Sequence, residues 1–151
     1  MIVYRFSHPK FADDISGTGA KQRGGRWNPT GIALLYTSEN ISLGLLEVLA
    51  NANTLEELQS IILLEIDIPP AVPLQEIKLS QLKNDWWNDF DYTQWLGAEL
   101  IKTAKSLLIK CPSAIVDKEH NYLVNPAHPA FRKIKVKRKN DFRFDERLFK
   151  I

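Results

Sequence analysis

Short apolar segments separated by glycine- and proline-rich turns constrain the fold of this chain most strongly. Six segments are rich in β-branched and aromatic residues, and only two repeat apolar residues at helical spacing. The strands do not alternate regularly with helices, as a parallel βαβ fold would require. We therefore predict an α+β fold, a compact single domain spanning residues 1–151 with a mostly antiparallel sheet. The predicted strands are residues 2–6, 32–36, 61–68, 113–116, 122–125 and 134–138, and the predicted helices are residues 41–52 and 93–108.

Length, charge and cysteine content exclude several classes of protein. A chain of 151 residues buries about 68–70% of its unfolded surface, so one core suffices without disulfides or a structural metal. The 20 Lys and Arg residues nearly balance the 18 Asp and Glu residues, which argues against a nucleic-acid partner. No apolar run approaches the roughly 18 residues that a membrane span requires. With the single cysteine Cys111 and no visible signal peptide, we expect a cytoplasmic protein.

The predicted helix over residues 41–52 is apolar around most of its circumference and is therefore expected to be largely buried. We expect Thr37 or Ser38 to cap its N-terminus. One polar stripe breaks the apolar surface, and two interpretations of it stay open. Glu47 either faces a cleft or lies on a solvated face, with a glycine in the stripe for close helix packing. The stripe consists of Asn40, Gly44, Glu47 and Asn51.

The segment over residues 7–30 reads as a long irregular loop, and its glycine pair Gly24-Gly25 is followed by Arg26 and Trp27. Paired glycines let backbone amides approach a ligand, and a guanidinium can bind phosphate oxygens with two hydrogen bonds. The loop matches neither phosphate-binding glycine motif, so an ordinary turn packed by Trp27 is the alternative.

Ser113 and the Pro-flanked turn with Asn125 and His128 form a third candidate region. Ser113, His128 and Asp117 can be combined into a hydrolase triad, but the G-x-S-x-G elbow is absent. The alternative for Ser113 is a hydroxyl at the start of a strand that bonds the backbone. The histidines and the cysteine fit no common zinc spacing, so no metal site is predicted.

Alternating lysines near the C-terminus favour a solvated edge strand over a nucleic-acid stripe, since charged residues on an edge block further strand pairing. These lysines are Lys133, Lys135, Lys137 and Lys139.

Taken together, the motifs resemble the RES-domain family, the toxins of bacterial toxin–antitoxin pairs whose antitoxin is an Xre-type helix-turn-helix protein. The resemblance covers almost the whole chain, as a single RES domain. The motifs that carry it are Tyr4-Arg5, Gly25-Arg26-Trp27-Asn28-Pro29-x-Gly31, Leu35-Tyr36-Thr37-Ser38, Leu46-Glu47-Val48-Leu49, Pro112-Ser113-Ala114-Ile115-Val116, Asn121-Tyr122-Leu123-Val124-Asn125-Pro126-x-His128-Pro129 and Phe144-Asp145-x-Arg147-Leu148.

The resemblance implies a fold similar to ADP-ribosyltransferase toxins and an activity that depletes NAD⁺ by cleaving the nicotinamide–ribose bond. NAD⁺ is then a substrate, and no prosthetic group is expected. The acceptor is water or phosphate, and ADP-ribosylation of a protein is the alternative. A binding domain without catalysis and a serine hydrolase are the competing classes.

The resemblance also assigns roles to single residues. Glu47 would stabilise positive charge on the ribose, Arg26 would pair with the pyrophosphate with Arg5 as a helper, Tyr36 would contact the nicotinamide, and Ser113 would orient the carboxamide or ribose. The remaining members of the expected NAD⁺-binding set are Trp27, Asn28 and Asn125.

Overall fold

A seven-stranded sheet organises residues 1–149, the part of the chain that this computed structural model describes. The strand order is β4-β5-β6-β2-β1-β3-β7, and all neighbours are antiparallel except the parallel pair β4 and β5. The predicted α+β fold with a mostly antiparallel sheet is therefore confirmed. The strands are β1 (Ile2–Ser7), β2 (Leu35–Ser38), β3 (Ile62–Asp67), β4 (Leu74–Glu76), β5 (Leu108–Pro112), β6 (His120–Val124) and β7 (Lys135–Asp141).

Four α-helices and several short 3-10 turns connect these strands. Two of the helices are short, and each of the other two covers part of the sheet. Among residues 1–149, every helix is too short or too polar to span a bilayer. The helices are α1 (Thr18–Arg23), α2 (Ile41–Asn51), α3 (Glu56–Gln59) and α4 (Phe90–Lys102).

Helices α2 and α4 lie on the same face of the sheet. Side chains alternate between the two faces of a strand, and directly paired residues share a face. The cluster around Phe6 of β1 includes partly buried residues of α2, and the cluster around Leu123 of β6 includes residues of α4. The pairings Tyr4 with Ser38 and Tyr36 with Leu123 join these two clusters on one face. A third cluster, around Val3 and Leu64, fills the opposite face.

The boundaries of α4 differ from the predicted helix over residues 93–108. Asp89 caps the helix three residues earlier than predicted, since its carboxylate accepts from the Tyr92 amide at 3.0 Å. Ala104 has a φ of 51°, which ends the helical path soon after Lys102. Leu108 is buried at the start of β5, so its helical spacing from the residues of α4 was misleading.

The predicted strand over residues 113–116 is wrong. Strand β5 ends at Pro112, and the following residues form a turn. The Ser113 hydroxyl accepts from the amides of Ile115 and Val116 at 3.0 and 3.2 Å, so a side chain replaces the strand ladder there. The predicted loop over residues 7–30 also contains a helix, α1, which begins and ends at glycines.

Helix α2 begins as predicted but is capped by Asn40, whose side chain accepts from the Leu43 amide at 2.7 Å. Thr37 and Ser38, the predicted caps, are instead the last residues of β2, which starts later than the predicted 32–36. The prediction that this helix is largely buried is wrong, because α2 is covered on one side only. Ile41 and Leu46 are each 38% exposed.

Within residues 1–149, strand β7 lies at one edge of the sheet and pairs only with β3. Lys135, Lys137 and Lys139 on it are exposed, whereas Lys133 belongs to the preceding 3-10 turn. The predicted solvated edge strand is thus observed, over longer bounds than the predicted 134–138.

Candidate functional site

Glu47 of α2 is half-buried and faces the sheet rather than bulk solvent. Its Oε1 atom accepts two hydrogen bonds, from the Ser113 hydroxyl at 2.8 Å and from the Asn121 amide at 2.9 Å. Its Oε2 atom accepts none from residues 1–149 and is not among their buried polar atoms. One oxygen is therefore held by the protein while the other is free for a ligand. The solvated-face interpretation of the polar stripe is wrong for this residue.

Gly44 brings α2 close enough to the sheet for this contact. It is buried, and a Cβ added to it would lie 3.5 Å from the Phe6 ring and 3.8 Å from the Ser38 Cβ, its nearest neighbours. These are ordinary contact distances, so a methyl group fits where a larger side chain would separate helix and sheet. The expectation that a glycine in the polar stripe allows close packing of the helix is thus confirmed, and the carboxylate of Glu47 nevertheless faces inward.

We expect Gly44→Ala to stabilise the protein and to leave its activity intact. Alanine is favoured over glycine inside a helix by about 1 kcal/mol, and the added methyl meets no short contact. For a chain of this size the thermal midpoint should rise by roughly 2–4 °C. A scanning-calorimetry midpoint below that of the parent would show that the helix and sheet cannot accept the methyl group.

Ser113 is fully buried and connects the Glu47 carboxylate to the backbone of the following turn. Its hydroxyl has one proton, which is donated to Glu47, while its oxygen accepts from the two amides of the following turn. The interpretation of Ser113 as a hydroxyl that bonds the backbone is observed, in a turn after β5 and not at the start of a strand. His128 is not among its partners: the Nδ1 atom of His128 accepts from the Ala130 amide at 3.0 Å. The Ser113, Asp117 and His128 triad is not assembled.

Arg26 lies near Glu47 without forming an ion pair within 4.0 Å in the described part of the chain. Its Nη1 donates to the Trp87 carbonyl at 2.7 Å, and its guanidinium lies 4.7 Å from the centre of the Phe90 ring and 5.8 Å from that of Trp86. Burial lowers the pKa of Arg26, and the negative charge of Glu47 opposes that shift. The guanidinium is therefore oriented by its neighbours and not neutralised by a carboxylate.

One face of α4 holds the backbone from Gly25 to Trp27. Thr93 Oγ1 donates to the Arg26 carbonyl at 2.6 Å, and Gln94 Nε2 donates to the Gly25 carbonyl at 2.8 Å. Gly97 lies directly against the Trp27 carbonyl, where no Cβ would fit. Three residues in adjacent turns of one helix thus fix the loop that carries Arg26.

Tyr36, Asn28 and Trp27 support this loop from the sheet side. The Tyr36 hydroxyl donates to Asn28 Oδ1 at 2.6 Å and accepts from the Trp27 amide at 2.9 Å. Asn28 is fully buried and also bonds three backbone carbonyls, and the Trp27 side chain, 2% exposed, belongs to the core. Burial raises the pKa of Tyr36, so its hydroxyl stays protonated. The polar groups of Tyr36 and Asn28 and the side chain of Trp27 are thus all in contact with other residues of the protein.

Arg5 and Asn125 are not brought to Glu47. Arg5 leaves β1 on the face opposite to Phe6 and donates to the Tyr36 carbonyl at 3.0 Å. Burial lowers the pKa of Arg5, as does the nearby positive charge of Arg23. Asn125 lies four residues beyond Asn121, about 13 Å along the strand direction. Its Oδ1 accepts from the Ala127 amide, and its Nδ2 contacts the Ile101 carbonyl.

Cys111 lies on the same sheet face as Asn121 and is fully buried. Burial raises the pKa of this thiol, and the negative charge of Glu47 raises it further. A protonated, buried thiol is a poor nucleophile, so Cys111 is not a candidate for nucleophilic chemistry at this site.

A cleft of about 620 Å³ lies between the segment from Leu79 to Trp87 and the turn that follows Ser113, and neither Glu47 nor Arg26 lines it. Trp86 and Trp87 line it, and both also contact Arg26. A cleft of this size can hold a nucleotide-sized ligand.

Sequence reasoning missed Asn121, Ser38 and the α4 residues that support Arg26. Asn121 is in the same motif as the predicted Asn125. What distinguishes Asn121 as the residue beside Glu47 is its pairing with Ser38 across the strands, which local sequence does not reveal. Thr93, Gln94 and Gly97 lie at helical spacing, but no local pattern links them to a loop about 70 residues away.

The fold and site define a class of small α+β protein. In it a carboxylate on a helix has one oxygen bound by neighbouring side chains and lies near an arginine that aromatic residues orient. Residues 2–145 match the sequence model of the RES domain. The chain belongs to the RES-domain family of toxins, as the sequence motifs had indicated.

Relatives and a solved structure agree with this assignment. A Toxin Res of Photorhabdus laumondii is 36% identical, with 99% of this chain and 98% of the relative covered. A Prs ADP-ribosylating toxin of Sphingobium sp. is 32% identical, with 92% and 89% covered. A chain of the M. tuberculosis MbcT–MbcA toxin–antitoxin complex shares the fold with a TM-score of 0.79 and 21% identity, over 94% of this chain and 84% of that one. The expected toxin fold is confirmed.

Proposed function

We propose that this chain depletes NAD⁺ by breaking the bond between nicotinamide and ribose. The observation that carries the proposal is Glu47 Oε2, which accepts no hydrogen bond from residues 1–149 and lies near the Arg26 guanidinium, which forms no ion pair with those residues. A carboxylate at the ribose and a guanidinium at the pyrophosphate match the charges of NAD⁺ at two separate points.

The leaving group makes one carboxylate sufficient. The nicotinamide of NAD⁺ is a cationic pyridinium, and when the bond breaks its electron pair stays on the ring nitrogen, which becomes neutral. The departing base therefore needs no proton from a general acid, unlike the oxygen leaving group of an ordinary glycosidase. Positive charge moves to the ribose, where Glu47 Oε2 would stabilise it. Water then adds to the anomeric carbon and loses one proton to the solvent, or an anionic phosphate oxygen adds to it directly, with no proton released.

Transfer of ADP-ribose to a protein is the second candidate. It is favoured by the 32% identity to a relative named as an ADP-ribosylating toxin. The two candidates share the bond-breaking step and differ only in the acceptor.

The test uses the purified chain with NAD⁺ labelled in its adenine ring, with and without phosphate and cell extract. We expect free nicotinamide together with free ADP-ribose or its phosphate. Label that is found mainly on protein would favour the transferase. No nicotinamide above the level of a heat-inactivated sample would contradict both candidates.

Arg26→Lys should weaken NAD⁺ binding although it retains the positive charge. An ammonium cannot donate two parallel hydrogen bonds to phosphate oxygens, and it lacks the planar face with which a guanidinium packs on an aromatic ring. Loss of charge-assisted hydrogen bonds predicts a KM higher by about 10-fold to 100-fold. Unchanged steady-state constants would remove Arg26 from the pyrophosphate site. Arg143→Lys, at an exposed position near the C-terminus, makes the same change and should have no effect.

We also propose an Xre-type antitoxin partner that covers the cleft near Arg26 and Glu47, since the site is already formed in the free chain. NAD⁺ turnover by the purified complex should fall well below that of the free toxin. Equal turnover at saturating antitoxin would contradict occlusion of the site.

A further inference from the structure

We propose that Asn121 is a positioning residue for Glu47 and that the Ser38 hydroxyl holds the Asn121 amide in place. The inference rests on the proposed function, because it explains how the carboxylate is held for NAD⁺ cleavage. It is carried by a chain of hydrogen bonds that begins in the sheet and ends at Glu47 Oε1.

Strand register brings the two residues together. Ser38, the last residue of β2, pairs directly with Asn121 of β6, so both side chains lie on the sheet face that α2 covers. Gly44 of α2 lies above Ser38, and Glu47 follows it by nearly one helical turn. The amide of Asn121 is therefore beside the Glu47 carboxylate at 2.9 Å.

The chemistry of the groups determines which way the amide points. A carboxylate only accepts hydrogen bonds, so the NH₂ group of Asn121 must face Glu47. The amide oxygen then faces Ser38, whose hydroxyl donates to it at 2.7 Å. The reversed amide would place its oxygen against the Glu47 carboxylate, where neither group can donate, and would cost Ser38 the acceptor of its hydroxyl.

This arrangement orients the carboxylate as well as holding it. Ser113 and Asn121 approach Oε1 from two different elements, and together they restrict rotation of the carboxylate group. The free oxygen, Oε2, is thereby kept in one position before substrate arrives. Preorganised charge of this kind contributes to catalysis because nothing must reorient in the transition state.

Further contacts keep the helix and the amide in register. The Glu39 amide donates to the His120 carbonyl at 3.1 Å, and Asn40 Nδ2 donates to Glu119 Oε1 at 3.0 Å. These bonds join the start of α2 to the start of β6, immediately before Asn121. The carboxylate and its donor therefore belong to one connected unit.

The experiment compares Asn121→Ala, Ser38→Ala and Ser38→Thr, each with Glu47 and with Glu47→Gln. Asn121→Ala should lower kcat for nicotinamide release by about 10-fold to 100-fold, with KM for NAD⁺ nearly unchanged. Ser38→Ala should give a smaller loss of kcat of the same kind. Ser38→Thr, which retains the hydroxyl, should keep a kcat near that of the parent. In the Glu47→Gln background the same changes should cost little more, because they act through Glu47.

Asn125→Ala is the matched control, since it removes a buried amide from the same motif that does not contact Glu47. Any loss that it causes through stability should be equal in both backgrounds. An Asn121→Ala loss that is also equal in both backgrounds, or no loss at all, would overturn the positioning role while leaving the proposed function intact. A parent chain that releases no nicotinamide would overturn the proposed function and this inference with it.

Discussion

Glu47→Gln should lower kcat for nicotinamide release on the order of 10²–10³-fold while the protein folds normally. Glutamine keeps the shape of the side chain, and its amide oxygen can still accept from Ser113 and Asn121. Its NH₂ group would then take the place of Oε2, so a hydrogen-bond donor would replace negative charge beside the ribose. KM should change much less, because the ribose becomes cationic chiefly in the transition state.

Stability separates this prediction from a structural role for Glu47. Removing a charge from a half-buried position lowers its desolvation cost, so the thermal midpoint should hold or rise. Glu99→Gln, the same change at an exposed position of α4, is the control and should alter neither rate nor midpoint. A folded Glu47→Gln protein with the parent rate would falsify the catalytic assignment.

Gly97→Ala should cause the largest loss of stability among the single methyl additions considered. A Cβ at Gly97 would lie 1.8 Å from the Trp27 carbonyl oxygen and 2.8 Å from its carbon. Both atoms belong to backbone, so either α4 or the Arg26 loop must move. Overpacking of this severity costs about 3 kcal/mol, which predicts a thermal midpoint lower by roughly 6–12 °C.

Activity should fall together with stability in Gly97→Ala, because the displaced loop carries Arg26. Below the midpoint the loss should appear mainly in KM for NAD⁺. Gly44→Ala is the matched comparison, since the same methyl group meets only ordinary contacts there. A Gly97→Ala protein as stable and active as Gly44→Ala would show that α4 does not support the loop as described.

The sequence was informative where one element carries its own signal. Periodicity alone separated Glu47 from the apolar surface of its helix, and the glycine pair before Arg26 marked a loop with a guanidinium. Neither pattern could determine whether Glu47 faces water, because that depends on where the helix lies on the sheet. Strand order and register supply the answer, and both arise from long-range pairing.

The errors have the same origin. Leu107 and Leu108 continue the helical spacing of α4 by coincidence, although the helix ends at Lys102 and Ala104 with its positive φ leads away from it. Arg5 and Asn125 belong to matching motifs, yet alternation along β1 and distance along β6 keep their side chains away from Glu47. A motif places a residue in the chain, whereas the sheet determines which side chains meet.

The structure of the Glu47→Gln variant bound to intact NAD⁺ tests the central claim most directly. The slow variant allows the substrate to be observed before cleavage. We predict the anomeric carbon of the nicotinamide ribose within about 3.5 Å of the side chain at position 47 and the pyrophosphate at Arg26. NAD⁺ bound with its nicotinamide ribose away from position 47, for example wholly within the cleft lined by Trp87 and Lys118, would contradict the account.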